Sequence, residues 1–362
     1  MRRRRRIAER TTSGSGRSSP VGAPEAVSPA RVHLPGTRAG LPETSQTGVV
    51  DVGRDDDPPR RPVTPEVAYD GRGSGVGLEV SVPDPSSPSP SVEGIASRID
   101  TTVPHPARRY DYLLGGKDNF AADRESAEAM LKVYPSARMA VQENRRFLRR
   151  AVSYLAQEAG IRQFLDIGTG IPSVDNTHQV AQSIAAESRI VYVDNDPIVL
   201  THARALLTST AQGRTAYLDA DLRRPREILS HPDLLATLDL KQPVAVLLVA
   251  IMHFIVDEDD PYALVEELLA PLPAGSALVM THFTNDFLPP ELAAKIEAAW
   301  RENPANGQGR ARNAEEIGRF YTDLELVSPG IVPLAEWRAE SEPQPRPAAR
   351  DVTAYGVVGR KP

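Results

Sequence analysis

The sequence predicts an α/β protein: a mostly parallel sheet with helices on both faces. Three observations carry this. From about residue 160 onward, short apolar runs alternate with segments of helical periodicity. The run Phe164-Leu165-Asp166-Ile167 leads directly into Gly168-Thr169-Gly170 and then into a helix-compatible segment. That is the order of a buried strand turning tightly into a helix. A second apolar run, Arg189-Ile190-Val191-Tyr192-Val193, then ends in Asp194, which puts an acid at the tip of the next strand.

The elements follow in chain order. Residues 1–94 are rich in Pro, Gly, Ser and Arg and hold one aromatic, Tyr69. Such a segment buries too little apolar area to offset its ordering entropy, so a disordered low-complexity tail is expected there. The opening Met1-Arg2-Arg3-Arg4-Arg5-Arg6 reads as a solvated basic tail. No apolar stretch follows it, so no export signal is expected. Composition changes near Ile95, and residues 95–160 are expected to form a helical cap. Within it, His105 to Phe120 concentrates aromatics, charges and a Gly-Gly pair. Two helical segments come next, about Ala122–Leu131 and Ala137–Ala159. In the second, Val141, Phe147, Leu148, Ala151, Val152 and Leu155 approximate one apolar face, and Arg145, Arg146, Arg149 and Arg150 crowd the same helix. Gly160 is expected to stop it as a C-terminal capping glycine.

Residues 161–362 are expected to carry the sheet. Strands are predicted at Gln163–Ile167, Ile190–Val193, Thr215–Leu218, Val244–Val249 and Ala277–Thr281. Helices are predicted at Ser173–Ala186, Ile198–Thr208, Arg224–Leu229, Pro261–Leu269 and Pro290–Trp300. Asp196-Pro197 is a good helix opening, with an acid at the cap and proline in the first turn. Two last strands, Leu324–Val327 continuing near Ile331 and Val352–Val358, have no predicted helix between them. They read as an antiparallel pair at a sheet edge.

Composition removes several function classes. Cysteine is absent, which excludes disulfides, thiolate metal sites and cysteine nucleophiles. With a formal net charge of -6, no nucleic-acid partner is expected. The longest apolar run, Val244–Ile251, falls short of the roughly 20 residues of a spanning helix, so no membrane span is expected and a cytoplasmic location is the default. No metal-ligand cluster of useful spacing is present.

In open sheets of this kind, ligands sit beyond the carboxyl ends of the strands. Those ends carry Asp166–Gly170, Asp194, Asp219-Ala220-Asp221-Leu222, Ala250-Ile251-Met252-His253 and Thr281-His282-Phe283. A dinucleotide fingerprint would need a third glycine beside the pyrophosphate. Here Gly168-Thr169-Gly170 is followed by Ile171-Pro172-Ser173, and Pro172 removes a donor. Asp166 suits an ammonium better than a phosphate. An acid-lined pocket fits S-adenosyl-L-methionine, which carries an amino group and a sulfonium and no phosphate.

Leu165-Asp166-Ile167-Gly168-Thr169-Gly170 resembles motif I of class I S-adenosylmethionine-dependent methyltransferases. The block from His105 to Phe120 resembles, more specifically, a bacterial methyltransferase family long catalogued as a domain of unknown function. Gly170-Ile171-Pro172, Asn176-Thr177-His178, Val193-Asp194-Asn195-Asp196-Pro197, Ala220-Asp221-Leu222-Arg223 and His253-Phe254 resemble it too. The likeness runs from about Ile95 to the C-terminus.

The resemblance implies a Rossmann-like sheet of seven strands in the order 3-2-1-4-5-7-6. It implies that Asp166, Gly168, Thr169 and Gly170 border the methionine moiety of the cofactor. Asp194, with Asn195 beside it, would take the ribose hydroxyls. Asp221 would meet the adenine amino group and Leu222 its ring, while Ala250 and His253 fall where the fourth strand delivers residues toward the methyl. His253 is the first candidate for a general base, with Tyr110 and His178 behind it. Amide and adenine N-methyltransferases carry an Asn/Asp-Pro-Pro-aromatic motif where this chain has Ala250-Ile251-Met252-His253. The expected acceptor is therefore a different, small-molecule oxygen or nitrogen nucleophile. A non-catalytic S-adenosylmethionine-binding regulator and a nicotinamide-dependent oxidoreductase are the alternative readings.

Overall fold

The structure is a computed structural model that describes residues 99–206, 209–302 and 309–362. These residues belong to one compact unit, Val82–Pro362. The tail expected over residues 1–94 lies outside the described residues.

Eight strands form one sheet among the described residues: β1 Gln163–Ile167, β2 Arg189–Asp194, β3 Arg214–Asp219, β4 Ala245–Val249, β5 Ala277–Phe283, β6 Glu325–Leu326, β7 Val332–Pro333 and β8 Ala354–Arg360. Their order is β3-β2-β1-β4-β5-β8-β6, with β7 also paired to β8. The first five run parallel; β8 runs antiparallel to β5, β6 and β7. The expected order survives, but the expected sixth strand is two short pieces. Ser328-Pro329-Gly330 lies between them, and Gly330 sits at φ 88, so the chain turns off the ladder before returning. The interval before β8 also holds a 3-10 turn, Leu334–Glu336, and a short helix, Ala349–Val352. These are too brief to leave a periodic signal.

The remaining helices are α1 Pro106–Leu114, α2 Ala121–Val133, α3 Ala137–Gln157, α4 Thr177–Ile184, α5 Pro197–Leu206, α6 Pro225–Leu229, α7 Pro232–Thr237, α8 Pro261–Leu269, α9 Pro290–Glu302 and α10 Ala314–Gly318, with α11 at Ala349–Val352. The helix expected over Ser173–Ala186 starts four residues later, because Asn176 caps it in a reciprocal pair with Gln179. The single helix expected at Arg224–Leu229 is followed by a second, α7, opened by His231-Pro232.

The central strands β1, β2, β4 and β5 are buried on both faces, which is why they read as nearly unbroken apolar runs. One face of β1, β4 and β5 (Leu165, Ile167, Val246, Leu248, Leu278, Met280) packs with Ile228, Leu234, Leu264, Leu268 and Ile317 from α6, α7, α8 and α10. The other (Phe164, Ala245, Leu247, Ala277, Val279) packs with Phe147, Ala151, Val152 and Leu155 of α3 and Val180 of α4. Trp337 is fully buried in this second layer, edge-on to Phe147 at 5.4 Å. Helices α1 and α2 and the start of α3 form a third cluster with Ile296 of α9. That cluster sets α1 beside the carboxyl ends of the strands.

Candidate active site

The turn after β1 takes its shape from two glycines in left-handed conformations, Gly168 at φ 74 and Gly170 at φ 68. Gly168 N and Thr169 N donate to Val193 O at 2.8 and 3.3 Å, tying the turn to the end of β2. A Cβ on Gly168 would lie 2.7 Å from the Ile251 side chain, whereas one on Gly170 would meet nothing within 4 Å. The main chain at Gly170 is therefore bare on its open side.

Asp194 is buried at the tip of β2. Its Oδ2 accepts from Gly170 N at 2.8 Å and its Oδ1 from Asp196 N at 2.9 Å. Each oxygen retains capacity for one more donor. Burial raises its pKa, against those two N–H groups and the nearby His105. Asp196 caps α5 by accepting from Ile198 N at 3.0 Å. It also pairs with His105 Nδ1 at 3.1 Å and Arg108 Nε at 3.2 Å, joining α1 to the end of β2. Burial would raise its pKa, but His105, Ile198 N and Arg108 outweigh it and hold it below the usual value. Asn195, between the two acids, is exposed.

Asp166 is buried under the turn and accepts from Thr177 Oγ1 at 2.6 Å. Burial pushes its pKa up to about 6, against the pull of Thr177 and the positive charge of Arg145. Beyond β3, Asp221 is half-buried and accepts from Arg223 N at 2.9 Å. Arg223 continues to Asp259 at 2.9 Å, strapping this loop to the one after β4. Leu222 turns into the core beneath the sheet, and Asp219 is exposed.

At the end of β4, Ala250 takes a left-handed conformation, φ 58, unusual for a residue with a side chain. A chain of hydrogen bonds holds it. Ala250 N donates to Thr281 Oγ1 at 2.8 Å, and Thr281 Oγ1 donates to Asn144 Oδ1 at 2.7 Å. Asn144 Nδ2 donates to Tyr110 OH at 2.8 Å, and Tyr110 OH donates to Val141 O at 3.1 Å. Tyr110 and Ala250, distant in sequence, are thus two side chains apart. Burial raises the Tyr110 phenol.

His253 stands in the 3-10 turn Met252–Phe254. Its Nδ1 is buried and has no hydrogen-bond partner among the described residues. Burial, then the charges of Arg109 and Arg312, lower its pKa to about 3. His282 lies edge-on to it at 6.0 Å. Its Nδ1 meets Phe283 O at 2.7 Å and its Nε2 meets Arg312 Nη1 at 3.1 Å. Arginine can only donate, so Nε2 accepts and Nδ1 carries the proton. His178 is placed differently. It is buried against β2, with its backbone N and its Nδ1 both 2.8 Å from Tyr192 OH.

Sequence reasoning did not single out Asn144 or Thr281 as site residues, nor Thr177, His105 and Arg108 by role. The last three lie inside the quoted motif blocks. Asn144 carried no signal, being one polar residue within the polar run Gln142-Glu143-Asn144-Arg145-Arg146.

A mostly parallel sheet with a glycine turn after β1 and acids at the ends of β1, β2 and β3 defines an open α/β domain of the kind that takes its ligand beyond the carboxyl ends of the strands. More specifically, residues 93–362 match the model of the S-adenosyl methyltransferase family, and the chain belongs to that family. It is similar to a solved DUF574 family protein from Streptomyces avermitilis, at 48% identity and TM-score 0.70, covering 73% of this chain and 100% of that one. It is also similar to a candidate methyltransferase from Thermobifida fusca, at 43% identity and TM-score 0.67, covering 72% of this chain and 96% of that one. No protein of curated function matches the chain.

Proposed function

We propose that the protein is an S-adenosylmethionine-dependent methyltransferase acting on a small-molecule oxygen or nitrogen nucleophile. The observation that carries this reading is the pairing of the bare turn at Gly170 with Asp194, whose carboxylate accepts from Gly170 N and keeps acceptor capacity on both oxygens. The residues fit the cofactor. Asp194 offers an anionic acceptor pair for a ribose diol. Asp166 offers a buried carboxylate for an ammonium. Gly168, Thr169 and Gly170 offer main chain where a phosphate-binding third glycine is replaced by Ser173 and Pro172 stands before it. Asp221 is available for the adenine amino group, and Ala250 borders the methyl end. Leu222 points into the core, so its contribution is to shape the wall behind the ring.

When bound, the cofactor supplies an electrophilic methyl on a good leaving group. The chain's contribution is then alignment, which can account for much of the acceleration in an in-line displacement. The Tyr110–Asn144–Thr281 chain holds the turn at Ala250, where the acceptor would approach. His253, with a pKa near 3, stays neutral at physiological pH and accepts a proton poorly. It fits the role of a hydrogen-bonding orienter better than that of the expected base. Tyr110 stays protonated, and His178 is committed to Tyr192.

Methyl-labelled S-adenosylmethionine incubated with a broad panel of phenols, carboxylates and amines tests the reading. Label should move to at least one acceptor, with matching formation of S-adenosylhomocysteine. Tight cofactor binding with no transfer across the panel would favour the regulator reading instead.

A further inference from the structure

Five arginines lie on α3, and among the described residues four of them pair with a carboxylate. Arg138 meets Glu128, Arg146 meets Glu143, and Arg149 and Arg150 both meet Glu342. Arg145 has no such partner. Its Nη2 donates to Val174 O at 2.8 Å and Asp175 O at 3.0 Å, and its Nε is buried without an acceptor. Those two carbonyls belong to the loop that follows the Gly170 turn. Two residues further on, Thr177 is hydrogen-bonded to Asp166. The positive charge of Arg145 favours the Asp166 carboxylate and likewise lowers the Tyr110 phenol pKa, in both cases against burial. A cation fixed in position by main-chain acceptors, and in no direct salt bridge among the described residues, thus lies beside the loop that leads from the Gly170 turn to Thr177 and Asp166.

We infer that Arg145 receives the α-carboxylate of the cofactor's methionine moiety, opposite Asp166, which faces its ammonium. The inference rests on the S-adenosylmethionine reading above. The methionine end is a zwitterion, and Arg145 and Asp166 supply the opposite signs in one place. The two backbone carbonyls hold the guanidinium in one orientation, so little side-chain freedom remains to be lost on binding. The same contact would couple cofactor binding to the loop Ser173–Asn176, since Arg145 already ties that loop to α3.

Calorimetry on the full-length chain can separate this from a structural role. The wild-type protein and Arg145→Gln are each titrated with S-adenosylmethionine and with decarboxylated S-adenosylmethionine. Wild type should prefer the carboxylated ligand by roughly 10- to 100-fold, the worth of a charge-assisted hydrogen bond. In Arg145→Gln the preference should collapse to within about threefold, with affinity for the decarboxylated ligand little changed. A variant that keeps the wild-type preference overturns the inference, as does one that weakens both ligands equally. If Arg145→Gln does not fold, the comparison is read on Arg145→Lys. There a reduced but surviving preference is expected, and an unchanged one overturns the inference. Failure of the wild-type chain to bind either ligand would instead remove the underlying cofactor reading.

Discussion

Replacing Asp194 by asparagine exchanges two acceptor oxygens for one. In the wild-type protein Oδ2 holds Gly170 N at 2.8 Å and Oδ1 holds Asp196 N at 2.9 Å. Asparagine can satisfy only one of them, and its NH2 group then faces the other donor. A buried N–H left without an acceptor costs about 1–3 kcal/mol. Relief of burying a charge offsets part of this, because burial already raises the Asp194 pKa. A net loss of about 1 kcal/mol of folding stability is therefore expected. The effect on ligand binding should be larger. Two ribose hydroxyls would lose a charged acceptor, each such bond being worth about 1.5–3 kcal/mol. S-adenosylhomocysteine should bind about 100-fold more weakly or worse. Urea unfolding and calorimetric titration of the full-length variant read the two effects separately. A folded Asp194→Asn protein that binds S-adenosylhomocysteine within about threefold of wild type would refute the assignment of the ribose to Asp194.

Four further outcomes follow from the same geometry. Asp166 has a folded-state pKa raised from 3.8 to about 6, so the stability its protonated form contributes is full below about pH 4 and is lost as pH rises through 6. Asp166→Asn should thus stabilise the ligand-free protein at pH 7.5 by up to about 3 kcal/mol and give no gain near pH 4, as read by thermal unfolding at both pH values. Thr281→Val leaves Ala250 N and Asn144 Oδ1 without their partner and should cost about 1–3 kcal/mol in urea unfolding. Gly168→Ala forces a side chain at φ 74 against Ile251, and should cost about 2–4 kcal/mol in the same assay. Trp337→Ala empties a fully buried site beside Phe147 and should lower stability by about 3–5 kcal/mol, with β6, β7 and β8 losing hydrogen-exchange protection first.

The central sheet was legible because β1, β2, β4 and β5 are buried on both faces and leave nearly unbroken apolar runs, while the edge strand β3 is only partly buried. The turn at Gly168 and Gly170 was legible because only glycine takes those dihedrals without strain. The edge was harder. Strands of two residues, Glu325–Leu326 and Val332–Pro333, are too short for any period, and Ser328-Pro329-Gly330 between them looks like any loop. The acids at strand ends were legible by position, but their environments were not. Nothing in the local sequence says that Asp194 is bonded to Gly170 N, or that Asp196 gathers His105 and Arg108 from a helix some ninety residues earlier. The position of His253 at the end of β4 suggested a base, yet burial, with Arg109 and Arg312 brought close only by the fold, holds the ring neutral. Asn144 escaped notice, and Thr281 was noticed only as the end of a strand, for the same reason. Each is an ordinary polar residue until helix α3 and strand β5 place them in one chain with Ala250.

The most direct test of the account is a calorimetric titration of the full-length protein with S-adenosylhomocysteine, run beside NAD under identical conditions. The account predicts saturable one-site binding of S-adenosylhomocysteine, lost in Asp194→Asn, and no heat of binding with NAD. Binding of NAD without S-adenosylhomocysteine, or binding of neither, would contradict it.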